Sequence, residues 1–368
     1  MRPAIIGPGF DVILNKEVLI KQMQEVAETS ETESLSQRFI RFADEECIGS
    51  SELYEVLSRS IAEDDALLSI TSKTRREQPV PNMLFGAVHY LLQKTDSDEL
   101  ARFYPDLTHH PEPPADAFAP FRQFCIGHEH EITALLSTNL VQTNAVRRCA
   151  YLYPVFCRVS EISESLPLAI VEIGTSAGLQ LCFDQYFYRI DDELTYGYPD
   201  SALEISSSFR GNKVPTHLDV PPTVQRRIGV DLNIIDLADE EDEAWLHALI
   251  WPEHHERRAY LDKAIEITKE MNLELVEGDG TELLPSIVES IEDCLALCVF
   301  HTHTANQFTK KQKDSLLANV DRIGRQRDIF HVHNNIEPHL HMTYYKDKKR
   351  IDTPLAHTHG HAQWIEWL

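Results

Sequence analysis

The sequence has little positive charge for its length. Its 368 residues include 34 Lys and Arg against 59 Asp and Glu, which gives a formal net charge of -25 at pH 7. Nucleic-acid phosphates and anionic membrane surfaces are bound through clustered Lys and Arg, and an excess of acid opposes both. We therefore expect neither nucleic acid nor a membrane among the partners of this protein. Its oligomeric state stays open.

A long apolar run and a paired cysteine motif are also missing. The apolar patch in the first 20 residues is interrupted by Pro3, Gly7, Pro8 and Asp11 well before it reaches a membrane-spanning length. The seven cysteines are an odd number, scattered through apolar segments without a C-x-x-C pair. We predict reduced, buried thiols in a cytoplasmic protein that has no targeting segment.

The chain is long enough for two domains, and its pattern changes partway along. Apolar residues recur at helical spacing up to about residue 165, with prolines between the runs. Alternation around a Gly-Asn turn in residues 186–225 indicates a β-hairpin insertion, and from Ile228 strands alternate with helices before a closing antiparallel hairpin. The sequence therefore predicts an α/β protein: an all-helical domain over residues 1–165, then a Rossmann-like, mostly parallel α/β domain over 166–368.

One stretch of small residues follows the first predicted core strand. Leu168 to Ile173 is a short apolar run that predicts a strand buried on both faces. Gly174, Ala177 and Gly178 then remove side-chain bulk, so the backbone turns sharply into what we predict to be a helix. Because the first N–H groups of a helix are unpaired, such a turn is suited to holding a ligand.

This turn has three interpretations: the motifs of two different enzyme classes and an ordinary turn that binds no ligand. Glu172-x-Gly174-x-Ser176-x-Gly178 resembles the first motif of the class I S-adenosylmethionine-dependent methyltransferases, with Ser176 in place of the middle glycine. Gly174-x-Ser176-x-Gly178 is also the pattern of an α/β-hydrolase nucleophile elbow, and short glycine patterns occur by chance. An elbow follows several strands of its sheet, whereas nearly everything before this turn is helical. The order of elements favours the methyltransferase.

Two later carboxylates fit the same interpretation. The methyltransferase resemblance implies a carboxylate after the second strand for the ribose hydroxyls and a polar group after the third for the adenine. Asp231 and Asp279 occupy these places, although Asp231 is farther from the turn than the usual twenty or so residues, with Asp191 or Asp192 as substitutes. Each of them also fits a solvated carboxylate at a strand end. The predicted cofactor-binding residues are Glu172, Gly174, Ser176, Gly178, Asp231 and Asp279.

Histidines are concentrated at the end of the chain. Residues 301–368 hold nine of the 18 histidines, mostly in HxH pairs. On a strand, residues i and i+2 share a face, so His301 with His303, or His331 with His333, would present two imidazoles to one ligand such as zinc. Ordinary hydrogen bonding is the alternative, because no H-E-x-x-H pattern accompanies them. We predict no metal, and a general base at His303 or His301.

Polar residues before the core strand indicate a substrate site. Arginine forks bind carboxylates and phosphates, so we predict Gln142, Asn144 and Arg148 as contacts of a small, anionic methyl acceptor enclosed between the helical domain and the insertion. A helix cap at Thr143 or Asn144 and a surface charge at Arg148 are the alternatives. Two other functions stay open: a cofactor-free module that kept the fold, and a hydrolase that uses Ser176 or a metal.

The chain also resembles one bacterial family over nearly its whole length. The similarity to the family called domain of unknown function 2332 rests on SSELYEVLSRSIAEDD, PVPNMLFGAVHYLLQ, VQTNAVRRCAYL, VEIGTSAGLQL, RIGVDLNIIDL, IWPEHHERR and VEGD. That family is grouped with methyltransferase-like folds and has no established reaction. The resemblance therefore implies a fold more than a function. In the family pattern a Glu follows Asn144 where this chain has Ala145, so no acid is implied there.

Overall fold

The computed structural model describes residues 33–95, 98–142, 145–191 and 193–368. The apolar patch of the first 20 residues, Thr143, Asn144 and Asp192 lie outside this part of the chain. The described residues form two compact units, one made of those within Met1–Val88 and Ser97–Leu140 and the other of those within His89–Asp96 and Val141–Leu368. The domain boundary near residue 165 stays a prediction of sequence patterning.

The first unit is built from short helices. They are α1 (Leu35–Phe42), α2 (Glu52–Ile61), α3 (Asp65–Thr71), the beginning of α4 (Val80–Lys94), α5 (Phe118–Gly127) and α6 (Glu129–Thr138). Ser34 begins α1 with a capping box, since its hydroxyl accepts from Gln37 N at 3.2 Å and its own N–H donates to Gln37 Oε1 at 3.0 Å. Among the described residues of this unit there is no strand.

The second unit is built on an eleven-stranded sheet. The strands are β1 (Leu168–Ile173), β2 (Phe187–Ile190), β3 (Leu194–Gly197), β4 (Glu204–Phe209), β5 (Val224–Asp231), β6 (Glu274–Glu277), β7 (Ala296–His301), β8 (Ile329–His333), β9 (Leu340–Lys346), β10 (Lys349–Thr358) and β11 (Trp364–Trp367). Their order is β3-β2-β4-β11-β10-β9-β8-β7-β1-β5-β6. Six strand pairs are parallel and four antiparallel, so the mostly parallel sheet is confirmed.

Helices cover the two faces of this sheet. They are α7 (Cys149–Ile162), α8 (Glu240–Ala248), α9 (His255–Lys269), α10 (Gly280–Glu289) and α11 (Lys310–Gly324). Leu168 and Ile170 of β1 pack in a core that includes α7 and α9, whereas Val171 and Ile173 pack in a second core with α10 and α11. Because successive side chains of a strand point to opposite faces and β1 is covered on both, every residue of β1 except Glu172 is apolar.

The strand order reverses at β1. After the insertion strands β2, β3 and β4, which lie at the far edge of the sheet, the chain forms β5 and β6 on one side of β1 and then returns to form β7 and β8 on the other side. In open parallel sheets, ligands bind outside the carboxyl ends of the strands at such a reversal. The residues that follow β1 and β7 therefore form the first place to look for a site.

Three predicted elements differ from the observed ones. The segment after the glycine turn is a 3-10 helix, Leu179–Gln185, and not an α-helix, because Cys182 leaves helical geometry with φ -96° and ψ 15°. The hairpin of the insertion turns at Asp191 and Glu193, and not at the Gly-Asn pair, since β2 pairs with β3. The insertion contains one strand more than the predicted hairpin, because β4 pairs with β2 and with β11 and so extends the sheet.

The closing segment contains three strands where two were predicted. β9 and β10 form the hairpin, which turns at Asp347 and Lys348, both with positive φ. β11 then pairs with β10. The additional strand was missed because β10 is polar at its start and contains Pro354, where its register with β9 shifts.

Two predictions made from the composition, on membrane-spanning segments and on the cysteines, can be compared with the structure. Within the described part of the chain, every helix is too short or too polar to cross a bilayer. All seven cysteines are free, and six of them are buried. Cys294 is exposed, which corrects the prediction of a buried thiol at that position, because it lies in the loop just before β7.

Candidate functional site

The turn after β1 has left-handed backbone at alternate residues. The φ values are +80° at Gly174, +52° at Ser176 and +78° at Gly178. Gly174 N and Thr175 N both donate to Val230 O of β5, at 2.7 and 3.2 Å. These bonds fasten the start of the turn to the neighbouring strand. Positive φ suits glycine and is strained for serine, and strain of that kind is often found at functional sites.

Side chains of the same unit lie against both glycines. A Cβ atom at Gly174 would lie 2.2 Å from Thr304 Oγ1, and one at Gly178 would lie 2.7 Å from Leu273 Cδ1. Both glycines therefore allow a close approach by a neighbouring side chain in addition to the turn itself. A ligand would share this space with Thr304.

Glu172 is a buried carboxyl group beneath the turn. Only 1 % of its surface is exposed, and it accepts a hydrogen bond from Thr175 Oγ1 at 2.7 Å. Burial raises its pKa to about 8, and the nearby Asp231 carboxylate acts in the same direction. Near pH 7, Glu172 is therefore mostly protonated and neutral.

Asp231 and Gln142, which were predicted to contact different ligands, contact each other. Asp231 Oδ2 accepts from Ser176 N at 2.8 Å, and its Oδ1 accepts from Asn233 N and from Gln142 Nε2, both at 3.2 Å. The Gln142 amide also exchanges bonds with Asn233, donating to its carbonyl oxygen at 2.7 Å and accepting from its side chain at 2.8 Å. Asp231 thus holds the turn, and burial raises its pKa.

Asp279 lies just beyond β6 as the N-cap of α10. Its Oδ1 accepts from the backbone N of Thr281 at 2.8 Å and from the Thr281 hydroxyl at 2.7 Å, and its Oδ2 accepts from Gln312 Nε2 at 3.0 Å. Although burial opposes the change, these hydrogen bonds lower its pKa. Asp279 is therefore an ionised cap at the predicted position after the third strand.

Arg148 lies inside the unit, in a 3-10 turn, Val146–Arg148, just before α7. Only 6 % of its surface is exposed. Its Nε donates to Gly360 O at 3.0 Å, and its Nη1 lies 3.4 Å from both Thr302 O and Thr302 Oγ1. Burial lowers its pKa. Arg148 thus joins the loop after β7 to the loop before β11, and the alternative of an exposed surface charge is wrong.

His301 and His303 do not form the pair that a continuous strand would give. β7 ends at His301, and His303 has a φ of +63° beyond that end. His303 N donates to Asn334 Oδ1 at 2.6 Å, while its Nε2 is buried and has no hydrogen-bond partner within the described chain. Burial lowers the His303 pKa to about 3, so the ring is neutral near pH 7.

His301 instead joins the histidines of β8 and β9. Strand register places it opposite His333, which is itself opposite His341. Ring centroids lie 5.2 Å apart for His301 and His331, and 4.5 Å apart for His331 and His333. Five ring nitrogens of the three fully buried histidines have no hydrogen-bond partner among the described residues. Over the same residues no group of three or more His, Cys, Asp or Glu is arranged to hold a metal ion.

Ser176 lacks the partner that a hydrolase would provide. Its hydroxyl oxygen is buried and accepts or donates no hydrogen bond within the described part of the chain. A catalytic serine is activated by a base within hydrogen-bond reach, commonly a histidine oriented by a carboxylate. Ser176 therefore has the strained backbone of an elbow without its proton relay.

A pocket of the second unit lies beside Gln142 and was missed by the sequence analysis. Its polar wall includes Arg147, Arg257 and His361. These residues come from three distant segments of the chain, so no local spacing revealed them. The segment IWPEHHERR, which contains Arg257, entered the sequence analysis only as part of the family resemblance.

The family expectation is confirmed by comparison with known proteins. The family model described as "Uncharacterized protein conserved in bacteria (DUF2332)" matches residues 36–367. Comparison with the curated proteins and with the solved structures gave no match.

Proposed function

We propose that this chain, which belongs to the DUF2332 family of uncharacterized bacterial proteins, transfers a methyl group from S-adenosylmethionine to a small anionic molecule. The observation that carries the proposal is the arrangement around the strand-order reversal. Three adjacent parallel strands, β1, β5 and β6, each have a carboxyl group near their carboxyl end: Glu172, Asp231 and Asp279. The turn that follows β1 has positive φ at alternate residues.

The polar groups at this turn fit an adenosyl ligand. Asp231 Oδ2 accepts one hydrogen bond, from Ser176 N, and a carboxylate oxygen accepts two, so it has capacity for a ribose hydroxyl. Ser176 Oγ is a buried polar atom with no partner among the described residues, and a ligand hydroxyl would satisfy it. Asp279 would meet the adenine amino group. When bound, the cofactor supplies an electrophilic methyl group.

His303 is the proposed proton acceptor. Its Nε2 has no hydrogen-bond partner within the described residues, and its ring is neutral because burial lowers its pKa to about 3. A base this weak is poorly matched to neutral pH, so its role as a general base requires that a bound anion raise this pKa. His303 Cε1 lies near Gly360, whose carbonyl oxygen binds Arg148, so the proposed base and the predicted substrate arginine belong to one neighbourhood.

Calorimetry and thermal unfolding with S-adenosylmethionine and S-adenosylhomocysteine test the proposal. A ligand present at about a hundred times its dissociation constant stabilises the fold by roughly 2.7 kcal/mol. We expect both ligands to bind, and Asp231→Asn to weaken them about tenfold or more, because it removes a charged hydrogen-bond acceptor. Asp219→Asn, on an exposed loop of the same unit, is the control. Absence of heat and of a thermal shift at millimolar ligand overturns the proposal.

A cofactor-free protein of the same fold is the second candidate, and the position of Thr304 favours it. The Thr304 side chain fills the space in front of Gly174. Thr304→Ala removes both of its γ atoms and so enlarges that space. The methyl-transfer proposal expects this variant to bind the cofactor at least as well as the wild type. The second candidate expects neither protein to bind it.

A further inference from the structure

The pocket beside Gln142 is lined by basic and by apolar side chains. Arg147, Arg257 and His361 are among the first group, and Leu246, Leu249 and Ile250 are among the second. All these residues belong to the second unit. In a chain with a net charge of -25, a pocket lined by two guanidinium groups and an imidazole is unexpected.

The positive charge of this pocket is only partly balanced. Arg147 pairs with Glu256, whose other oxygen accepts from Tyr260 OH at 2.7 Å. Arg257 donates to His254 Nδ1 at 3.0 Å, a neutral partner when it accepts. The pKa of Arg257 is lowered to about 10, first by burial and then by the charges of Arg148 and Arg147, with no carboxylate among the groups that act on it. Like charges are thus held together in a poorly solvated place.

His361 lies in the same poorly solvated, positively charged surroundings as Arg257. Its Nδ1 is buried and has no hydrogen-bond partner among the described residues. Burial, followed by the charges of Arg257 and Arg148, lowers its pKa to about 2. Glu172, the carboxyl group that acts on Arg148, is itself mostly protonated near pH 7. Buried guanidinium groups without a matching carboxylate are stabilised most directly by an anion.

We propose that this pocket binds a small organic anion, in which a carboxylate or phosphate group faces Arg257 and His361 and an apolar body packs against Leu246, Leu249 and Ile250. Arginine forks match the planar or tetrahedral oxygens of both head groups, and neutral His361 provides a ring nitrogen that donates or accepts. Gln142 lines the same pocket and hydrogen bonds to Asp231. Identification of this anion as the methyl acceptor rests on the proposed function, whereas its binding does not.

Calorimetry with hexanoate, hexyl phosphate and 1-hexanol tests the site, in a buffer without carboxylate or phosphate and without cofactor. We expect at least one of the two anions to bind, and the neutral alcohol to bind about tenfold more weakly or not at all, because it lacks the charged group. Acetate has the carboxylate head group without the apolar body. The difference between its affinity and that of hexanoate therefore measures the contribution of the apolar residues. The tighter of the two six-carbon anions identifies the head group.

Arg257→Gln is the decisive variant. It removes one of several neighbouring positive charges at a half-buried position, so the protein is expected to remain folded, and it is expected to lose about tenfold or more in affinity for the anion. Lys263→Gln, which removes an exposed charge from the same helix α9, is expected to bind like the wild type. Equal affinity in Arg257→Gln and wild type, or no binding of either anion at millimolar concentration, overturns the inference. Anion binding without S-adenosylmethionine binding would overturn only the proposed function.

Discussion

Two glycines with nearly the same backbone conformation face different surroundings. Gly174 has a φ of +80° and Gly49 a φ of +74°. A Cβ atom at Gly174 would meet the Thr304 side chain at 2.2 Å, whereas one at Gly49 would meet nothing within 4 Å. An alanine at Gly49 therefore has backbone strain alone, and an alanine at Gly174 has the same strain together with a clash.

We predict that Gly174→Ala destabilises the protein by about 2–4 kcal/mol, as the sum of left-handed strain and overpacking. Gly49→Ala is expected to cost about 1 kcal/mol, because only the strain remains. A double-mutant cycle of Gly174→Ala with Thr304→Gly, measured by urea unfolding, isolates the clash and should give a coupling of about 1–3 kcal/mol. Additive effects of the two substitutions would contradict this explanation.

Sequence patterns predicted best the residues whose role is set by their immediate neighbours. Gly174 and Gly178 were recognised because small residues after an apolar strand indicate a turn. Asp231 and Gln142 were both selected for their chemistry, but their mutual hydrogen bond joins parts of the chain that are far apart in sequence. No local pattern encodes such a bond.

At the scale of elements, predictability followed burial. β1 was predicted with its observed bounds, because a strand covered on both faces is mostly apolar. Its one ionisable residue, Glu172, is buried with a carboxyl group that is mostly protonated near pH 7. The 3-10 segment after the turn was predicted as an α-helix, since its apolar spacing suits both and only the geometry at Cys182 separates them. β10 was missed because its first half is polar and exposed and because it contains Pro354, although it lies between β9 and β11 in the sheet.

The N-cap of α10 gives a prediction at this scale. Asp279 satisfies the Thr281 N–H and hydroxyl and also accepts from Gln312, so Asp279→Ala is expected to cost about 1–2 kcal/mol of stability. Asp239, the N-cap of α8, accepts from Glu241 N at 2.8 Å, and Asp239→Ala is expected to cost about 1 kcal/mol or less. Chemical denaturation of both variants makes the comparison. A smaller loss of stability in Asp279→Ala than in Asp239→Ala would show that the hydrogen bonds of Asp279 to Thr281 and Gln312 add little.

For the whole molecule, the site is assembled from distant segments. Arg148 lies before β1, Thr302 after β7 and Gly360 before β11, yet the guanidinium group contacts both of the others. Arg147, Arg257 and His361 also come from distant segments of the chain, and they line one pocket. Sequence analysis found Arg148 because it stands close to the core strand in the chain. It missed Arg257 and His361 because only the completed sheet brings them to the same pocket.

Buried histidines and the buried Glu172 of the second unit change the stability of the fold in opposite directions as pH changes. Burial holds the pKa values of His301, His331 and His333 well below their ordinary range, so the folded state binds fewer protons there than the unfolded state in acid. Stability from these groups is present above their unfolded pKa of about 6.5 and is lost as pH falls. Glu172 has its pKa raised to about 8, so its contribution is present below its unfolded pKa and is lost as pH rises towards 8.

We therefore predict that the contribution of these groups to stability is greatest near pH 6.5. It falls between about pH 6.5 and pH 8 as Glu172 ionises, and falls more steeply in acid because three imidazoles act there against one carboxyl group. Glu172→Gln keeps the shape of the side chain and removes its titration, so this variant should gain on the wild type between about pH 5 and pH 8, by a few kcal/mol at about 1.4 kcal/mol per pKa unit. His331→Leu should gain on the wild type only below about pH 6.5. His255→Gln, at an exposed position of α9, should parallel the wild type throughout. Thermal unfolding across this pH range measures all four proteins, and a Glu172→Gln curve parallel to the wild type would show that the carboxyl group titrates normally.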